Sequence, residues 1–183
     1  GIFTFSVIAA LTMGSTGDQG RPFLEDLSQA EGANIRSALM GGIVFNLANI
    51  LLTAAIASAG LAVAFPIGIG LALIIGVLIS YFMVSKGDPV LIFAGVALIT
   101  IAIILNAMAY RMKNAGNGSK ASAKWILISV VAGILMSVFY PFIAAGMDLQ
   151  DFVNPAVGKM TPYTAVVVFS TGILLSNFLF NTI

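Results

Sequence analysis

From Gly41 to Phe82 the chain reads GGIVFNLANILLTAAIASAGLAVAFPIGIGLALIIGVLISYF, with no charged side chain in the run. A helix rises about 1.5 Å per residue and a bilayer core is roughly 30 Å thick, so this run is long enough to cross twice. Similar apolar stretches predict spans at 1–13, 35–57, 59–84, 89–110, 124–146 and 161–183. They are apolar all round and not alternating, which argues against the period-two strands of a membrane barrel. The first stretch, about 18 Å long as a helix, is too short to span. The last stops at Asn181-Thr182-Ile183 without a charged flank. Both ends lead to the expectation of a fragment of a longer chain.

The connections between spans differ in character. Residues 14–34 form the longest, opening on the glycine-rich GSTGDQG and continuing as PFLEDLSQAEG. Proline near its start, glycine at its end and acids in the first turn punctuate a short helix, expected to lie at the membrane interface with Phe23, Leu24 and Leu27 on one face. Ser58 to Gly60 and Ser85 to Asp88 read as tight turns. Residues 111–123 are basic and rich in Gly, Asn and Ser, and read as a midpoint linker. Arg111, Lys113, Lys120 and Lys124 crowd that loop, and the positive-inside rule places it in the cytoplasm. By alternation the loops at 14–34, 85–88 and 147–160 share the opposite side.

Composition narrows the chemistry. The chain is 60% hydrophobic and 8% charged, against about 25% charged residues in soluble domains. Too few polar residues remain to cover a soluble fold. The net charge of +1 and the lack of a basic, aromatic-interleaved stretch give no footprint for nucleic acid. Without cysteine or histidine, thiolate and imidazole metal sites, Cys nucleophiles and Ser-His-Asp triads are excluded. No cofactor is called for. GSTGDQG lacks the Gly-Lys-Ser/Thr ending of a nucleotide-binding loop. No ionisable group other than tyrosine lies deep in any span, so this stretch shows no proton relay of its own.

The polar groups inside the spans are the candidate chemistry. Gly42, Asn46, Asn49 and Thr53 fall on one stripe of a helix. An amide facing lipid would leave donors and an acceptor without partners, so the stripe should face the bundle, as helix–helix glue or as a substrate contact. Gly60, Ala64, Gly68, Ala72, Gly76 and Ser80 recur every four residues and form a smooth packing groove. Pro66 frees the carbonyl of Ala62, and Pro141 frees that of Ser137; both are candidate hinges. Ser129, Gly133 and Ser137 form a second small-residue stripe, and Phe139 and Tyr140 sit beside its kink. Asn106 with Tyr110, and Asn177 with Asn181, repeat a spacing of four near helix ends.

The stretch from Gly41 to Phe82 resembles the third and fourth helices of ureide permease-like transporters, in the drug/metabolite transporter superfamily near the bacterial sugar-uptake permeases. The preceding GSTGDQGRPFLEDLSQAEG resembles loops of bacterial members, and the helix carrying Tyr140-Pro141 resembles the sixth helix. The resemblance implies an all-α, polytopic transmembrane bundle of ten helices in two inverted five-helix repeats, with substrate between them. This chain would hold helices two to seven: 1–110 as the end of the first repeat, 111–123 as the inter-repeat linker, and 124–183 as the start of the second. It also implies a multi-pass protein of a bacterial inner (cell) membrane. Plant members carry nitrogen-rich heterocycles such as allantoin and uracil, with protons as the implied coupling ion.

The reading that follows is a secondary permease for a small polar metabolite, a sugar or ureide, working by alternating access in the lipid bilayer. Asn46 and Asn49 are assigned hydrogen bonds to substrate, with Phe65 and Tyr140 as flat walls and Ser137 beside them. A homo-oligomer is left open. A non-transporting assembly subunit is the alternative, supported only by the small-residue groove. A membrane-embedded enzyme would need clustered acids, His or Cys, and the acids are scattered.

Overall fold

The computed structural model describes residues 1–16, 20–84, 87–113 and 122–181. Among these residues the regular structure is all helical: α1 (Ile2–Leu11), α2 (Met13–Thr16), α3 (Phe23–Gln29), α4 (Gly32–Ala59), α5 (Leu61–Met83), α6 (Pro89–Lys113), α7 (Ala123–Ala145) and α8 (Pro162–Asn181). Five of them, α4 to α8, are long and apolar enough to cross a membrane. They coincide with the five full spans expected from hydropathy. The short helix expected after the glycine-rich segment is α3. Its apolar face is divided, because Phe23 is buried and Leu27 packs on the core while Leu24 is exposed. Most of the basic linker lies outside the described residues, as do Ser85, Lys86 and positions 17–19.

Local chemistry sets the helix ends. Gly60 takes φ +85°, a backbone region open to glycine, and turns the chain between α4 and α5. Its carbonyl accepts from the N–H groups of Val63 and Ala64, starting the next helix. The Asp88 carboxylate accepts the Val90 N–H at 2.8 Å and caps α6, with Pro89 at the first helical position. The Thr161 hydroxyl accepts the Thr164 N–H at 3.5 Å ahead of α8, where Pro162 again takes the first position.

The end of α7 is closed without water. Four carbonyls of a helix C-terminus lack intrahelical donors. Here Ser37 Oγ donates to the Phe142 carbonyl at 2.6 Å. The N–H groups of Gly146 and Met147 bond to the Ile143 and Ala144 carbonyls. Lys159 Nζ donates to the Ala145 carbonyl at 2.6 Å, placing a cation at the negative end of the helix dipole.

The described helices form two compact units. One comprises Gly1–Asn46 with Phe139–Ile183, the other Leu47–Val138; α4 and α7 each contribute to both. The first unit has its core where Ala38, Ile143, Met160, Ala165, Val168 and Phe169 meet. Phe45, Phe139 and Phe169 close it as a ring cluster, with centroids 4.9, 5.5 and 5.7 Å apart. A second cluster joins α1, α3 and α8 through Ala10, Phe23 and Val167. In the second unit, Ala55, Ala59 and Ala64 pack with Ile56, Trp125 and Ile128. There α6 packs on α5, with the Tyr81 and Phe93 rings 5.5 Å apart. The rest of α6 displays Val90, Leu91, Leu98, Ile104 and Met112 outward, an apolar surface suited to lipid.

Candidate functional site

In lipid no hydrophobic force draws helices together, so close backbone packing and polar contacts must hold the bundle. The crossing of α4 and α8 shows both. A Cβ added at Gly42 would fall on the Phe169 carbonyl and lie 3.0 Å from Gly172 Cα. A Cβ at Gly172 would fall on the Leu39 carbonyl and lie 3.2 Å from Gly42 Cα. One turn further along each helix, Asn46 Nδ2 donates to Ser176 Oγ at 3.0 Å, both residues buried. The glycines allow the approach that brings amide and hydroxyl together.

The rest of the α4 stripe behaves differently. Asn49 is half-buried, three residues beyond Asn46. Thr53 is exposed, and its hydroxyl donates to the Asn49 carbonyl of its own helix at 2.8 Å. The stripe therefore faces the bundle at Gly42 and Asn46 and turns outward by Thr53.

Within the second unit the two small-residue stripes meet. Ala64 is fully buried. A Cβ at Gly68 would lie 2.6 Å from Leu52 Cδ1 and 3.3 Å from the Ser129 carbonyl. A Cβ at Gly133 would lie 3.2 Å from Leu71 Cβ, and one at Gly76 would lie 3.9 Å from Ser137 Cα. Ala72 and Ser80 are half-buried on the same helix. Gly60 stands apart: it is exposed, a Cβ there would meet nothing within 4 Å, and its part is the turn. The hydroxyls of Ser129 and Ser137 donate to carbonyls of their own helix, Trp125 at 3.0 Å and Ile134 at 2.7 Å.

The remaining candidates are dispersed. Pro66 lies inside α5 and Pro141 inside α7. Phe65 is 46% exposed and Tyr140 40% exposed, and they fall in different units. Asn106 Nδ2 donates to the Ala102 carbonyl of its own helix at 3.0 Å. Asn46 and Tyr140 belong to the first unit, and Asn49, Phe65 and Ser137 to the second.

The most connected polar cluster lies in the two long loops of the first unit and was not anticipated from sequence. The Asp26 carboxylate is fully buried and takes donors from Arg21 Nε at 3.1 Å, Thr161 N at 2.7 Å and Thr161 Oγ1 at 3.0 Å. Arg21 also donates to the Lys159 carbonyl at 2.9 Å. Gln29 accepts the Gly158 N–H at 2.7 Å and donates to the Lys159 carbonyl at 2.8 Å, while Asn34 donates to the Gly158 carbonyl at 2.8 Å. These bonds join the 14–34 and 147–160 loops to each other at one end of the unit. Beyond them, Asp148 sits in the 147–160 loop with its pKa held below the ordinary aspartate value by N–H donors from Gln150, Ala156 and Asp151. Among the described residues, no group of three acids suited to a metal ion occurs.

Five membrane-length helices with amides, hydroxyls and glycines at their crossings define a polytopic integral membrane protein. The family model described as ureide permease matches residues 2–125, and the chain belongs to that family. It is 32% identical to ureide permease 1 of Arabidopsis thaliana over 116 residues, 63% of this chain and 30% of that protein. It is 30% identical to a probable ureide permease A3 of Vigna unguiculata over 120 residues, 63% of this chain and 32% of that protein. Ureide permease 2 of Arabidopsis thaliana is 32% identical over 119 residues, 64% of this chain and 29% of that protein. The chain thus spans about a third of the length of these curated relatives. No solved structure matches. The relatives are plant proteins, so the bacterial inner membrane expected from the sequence finds no support in them, and neither does the sugar-uptake side of the resemblance.

Proposed function

We propose that this chain is part of a secondary permease for a nitrogen-rich small metabolite of the ureide class. Family membership across residues 2–125 is the observation that carries this reading, and the five membrane-length helices agree with it. The relatives are named for ureides, compounds dense in N–H donors and carbonyl acceptors. An asparagine amide offers both complementary functions. Asn46 and Asn49 lie three residues apart in the middle of α4 and are proposed to contact substrate. Phe65, Ser137 and Tyr140 are the further proposed contacts, and Pro66 and Pro141 the proposed hinges.

The proposed mechanism is alternating access with substrate near the bilayer midplane and a proton as coupling ion, in a ten-helix protein of two inverted repeats. The 111–123 segment is proposed to face the cytoplasm. The test is uptake into vesicles normalised to folded protein, with a panel of ureides and sugars. Asn49→Leu should raise the apparent substrate constant or abolish uptake while folding is kept. Loss of a neutral hydrogen bond costs about 0.5–1.5 kcal/mol, and stranding a polar substrate group costs more. Wild-type affinity in both Asn46→Leu and Asn49→Leu would refute the contact assignment. Absence of uptake for the whole panel would favour an assembly subunit instead.

A further inference from the structure

The first unit is fastened at three successive levels. At the loop end the buried Asp26 carboxylate binds the start of α8 through Thr161 N and Oγ1, and Arg21 ties the preceding loop through the Lys159 carbonyl. Along α8, Ser6 Oγ of α1 and Ser170 Oγ lie 2.7 Å apart, both residues buried. Further on, backbone meets backbone at Gly42 and Gly172, and Asn46 holds Ser176. Shifting α8 against α1 or α4 would break the hydroxyl pair and the amide bond and drive backbone atoms together. Lifting its first turn would also take both Thr161 donors from a buried carboxylate. Buried polar groups that lose partners carry their full desolvation penalty, largest for a charge. Packed interfaces of this kind hold one arrangement and do not yield gradually.

We propose that α1, α3, the first half of α4 and α8 travel as one rigid body through the transport cycle. Asp26 is the positioning residue that fixes α8 in that body. The conformational change of the cycle then takes place outside the α1–α8 contact. The inference rests on the permease reading above.

These 183 residues hold no cysteine, so a designed pair reports cleanly once any cysteine elsewhere in the intact protein is replaced by serine. Ser6→Cys with Ser170→Cys sets two thiols across α1 and α8 in the intact protein in vesicles. Uptake by the unsubstituted protein is measured first, so failure of the permease reading shows separately. With copper phenanthroline as oxidant, the expected result is a disulfide in nearly all of the folded protein, with uptake equal before and after oxidation. Arrest of uptake on oxidation, restored by a thiol reductant, would overturn the proposal, because α1 and α8 would then have to part. Folded protein that forms no disulfide would overturn it equally. If that pair does not fold, Gly14→Cys with Tyr163→Cys reads the same body at its loop end, where a Cβ at position 14 would lie 2.9 Å from Tyr163 Cβ and must ease back to the roughly 3.5–4.5 Å span of a disulfide. Adding Asp26→Ala to either pair should lower the disulfide yield, and an unchanged yield would remove Asp26 from the positioning role.

Discussion

The glycines of this bundle differ in what surrounds them, so one substitution made at several sites tests the packing directly. At Gly42 an alanine Cβ would fall on the Phe169 carbonyl, with Ile173 N at 2.9 Å and Gly172 Cα at 3.0 Å. All three are backbone atoms of α8, so the helices themselves must separate. Overpacking of this kind costs about 1–3 kcal/mol. Separation also stretches the Asn46–Ser176 bond one turn away, where membrane polar contacts are worth on average about 0.6 kcal/mol. At Gly68 the closest atom is Leu52 Cδ1, the movable tip of a side chain, so the cost should be smaller. At Gly76 the nearest atoms are 3.9 Å away, and at Gly95 nothing lies within 4 Å. There the change should stabilise, since alanine is favoured over glycine inside a helix by about 0.5–1 kcal/mol. The expected order of stability is Gly95→Ala and Gly76→Ala above the natural protein, Gly68→Ala near it, and Gly42→Ala lowest. Reversible unfolding in mixed detergent micelles measures it. Equal stability of Gly42→Ala and Gly95→Ala would refute the close crossing of α4 and α8.

Other outcomes follow from the loop cluster and the charges. Asp26→Ala leaves the buried Thr161 donors without their acceptor and should destabilise by about 1–3 kcal/mol; the same unfolding assay reads it. Asp148 has a depressed pKa when folded, so its contribution is present above the ordinary aspartate value of 3.8 and is lost as pH falls through the lower folded value. The protection of the Ala156 amide from hydrogen exchange, taken relative to its intrinsic rate at each pH, should therefore fall in acid, and Asp148→Ala should abolish that fall. Ser119→Cys, outside the described residues, should react with an impermeant maleimide only after the cytoplasmic side is opened; labelling of intact cells would reverse the proposed orientation.

The spans were legible because their signal is local. A membrane helix must satisfy its own backbone, so an uninterrupted apolar run has few alternatives. Punctuation was legible too: the turn read at Ser58 to Gly60 falls where α4 ends and α5 begins. The small residues of α5 were visible as a stripe, but their meeting with Ser129, Gly133 and Ser137 required knowing which helix faces them. Gly42 and Asn46 were visible as well. Their partners Gly172 and Ser176 lie 130 positions away in sequence, and no periodicity within α4 points to them. Asp26 was the clearest miss. Acids at a helix start are ordinarily solvated and favoured by the dipole, and nothing local distinguishes Asp26 from Glu25. What distinguishes it is Thr161, brought there by the return of the chain at the start of α8. A threonine ahead of a proline-led helix and a lysine two positions before it were the available hints, and each reads as ordinary capping.

The closed end of α7 bears on how the protein tolerates its surroundings. A helix terminus that borrows water for its carbonyls must stay within reach of the headgroups, and a thickening bilayer then pulls against it. The α7 carbonyls at 142–145 are served by Ser37, Gly146, Met147 and Lys159. Its hydrogen bonding therefore does not depend on the level of the lipid surface. Mismatch between helix length and bilayer thickness is met elsewhere, by tilt and by the long Lys159 stem. This end of the helix carries protein donors for its carbonyls, whereas α6, with its apolar side chains turned outward, meets its surroundings through side-chain surface alone.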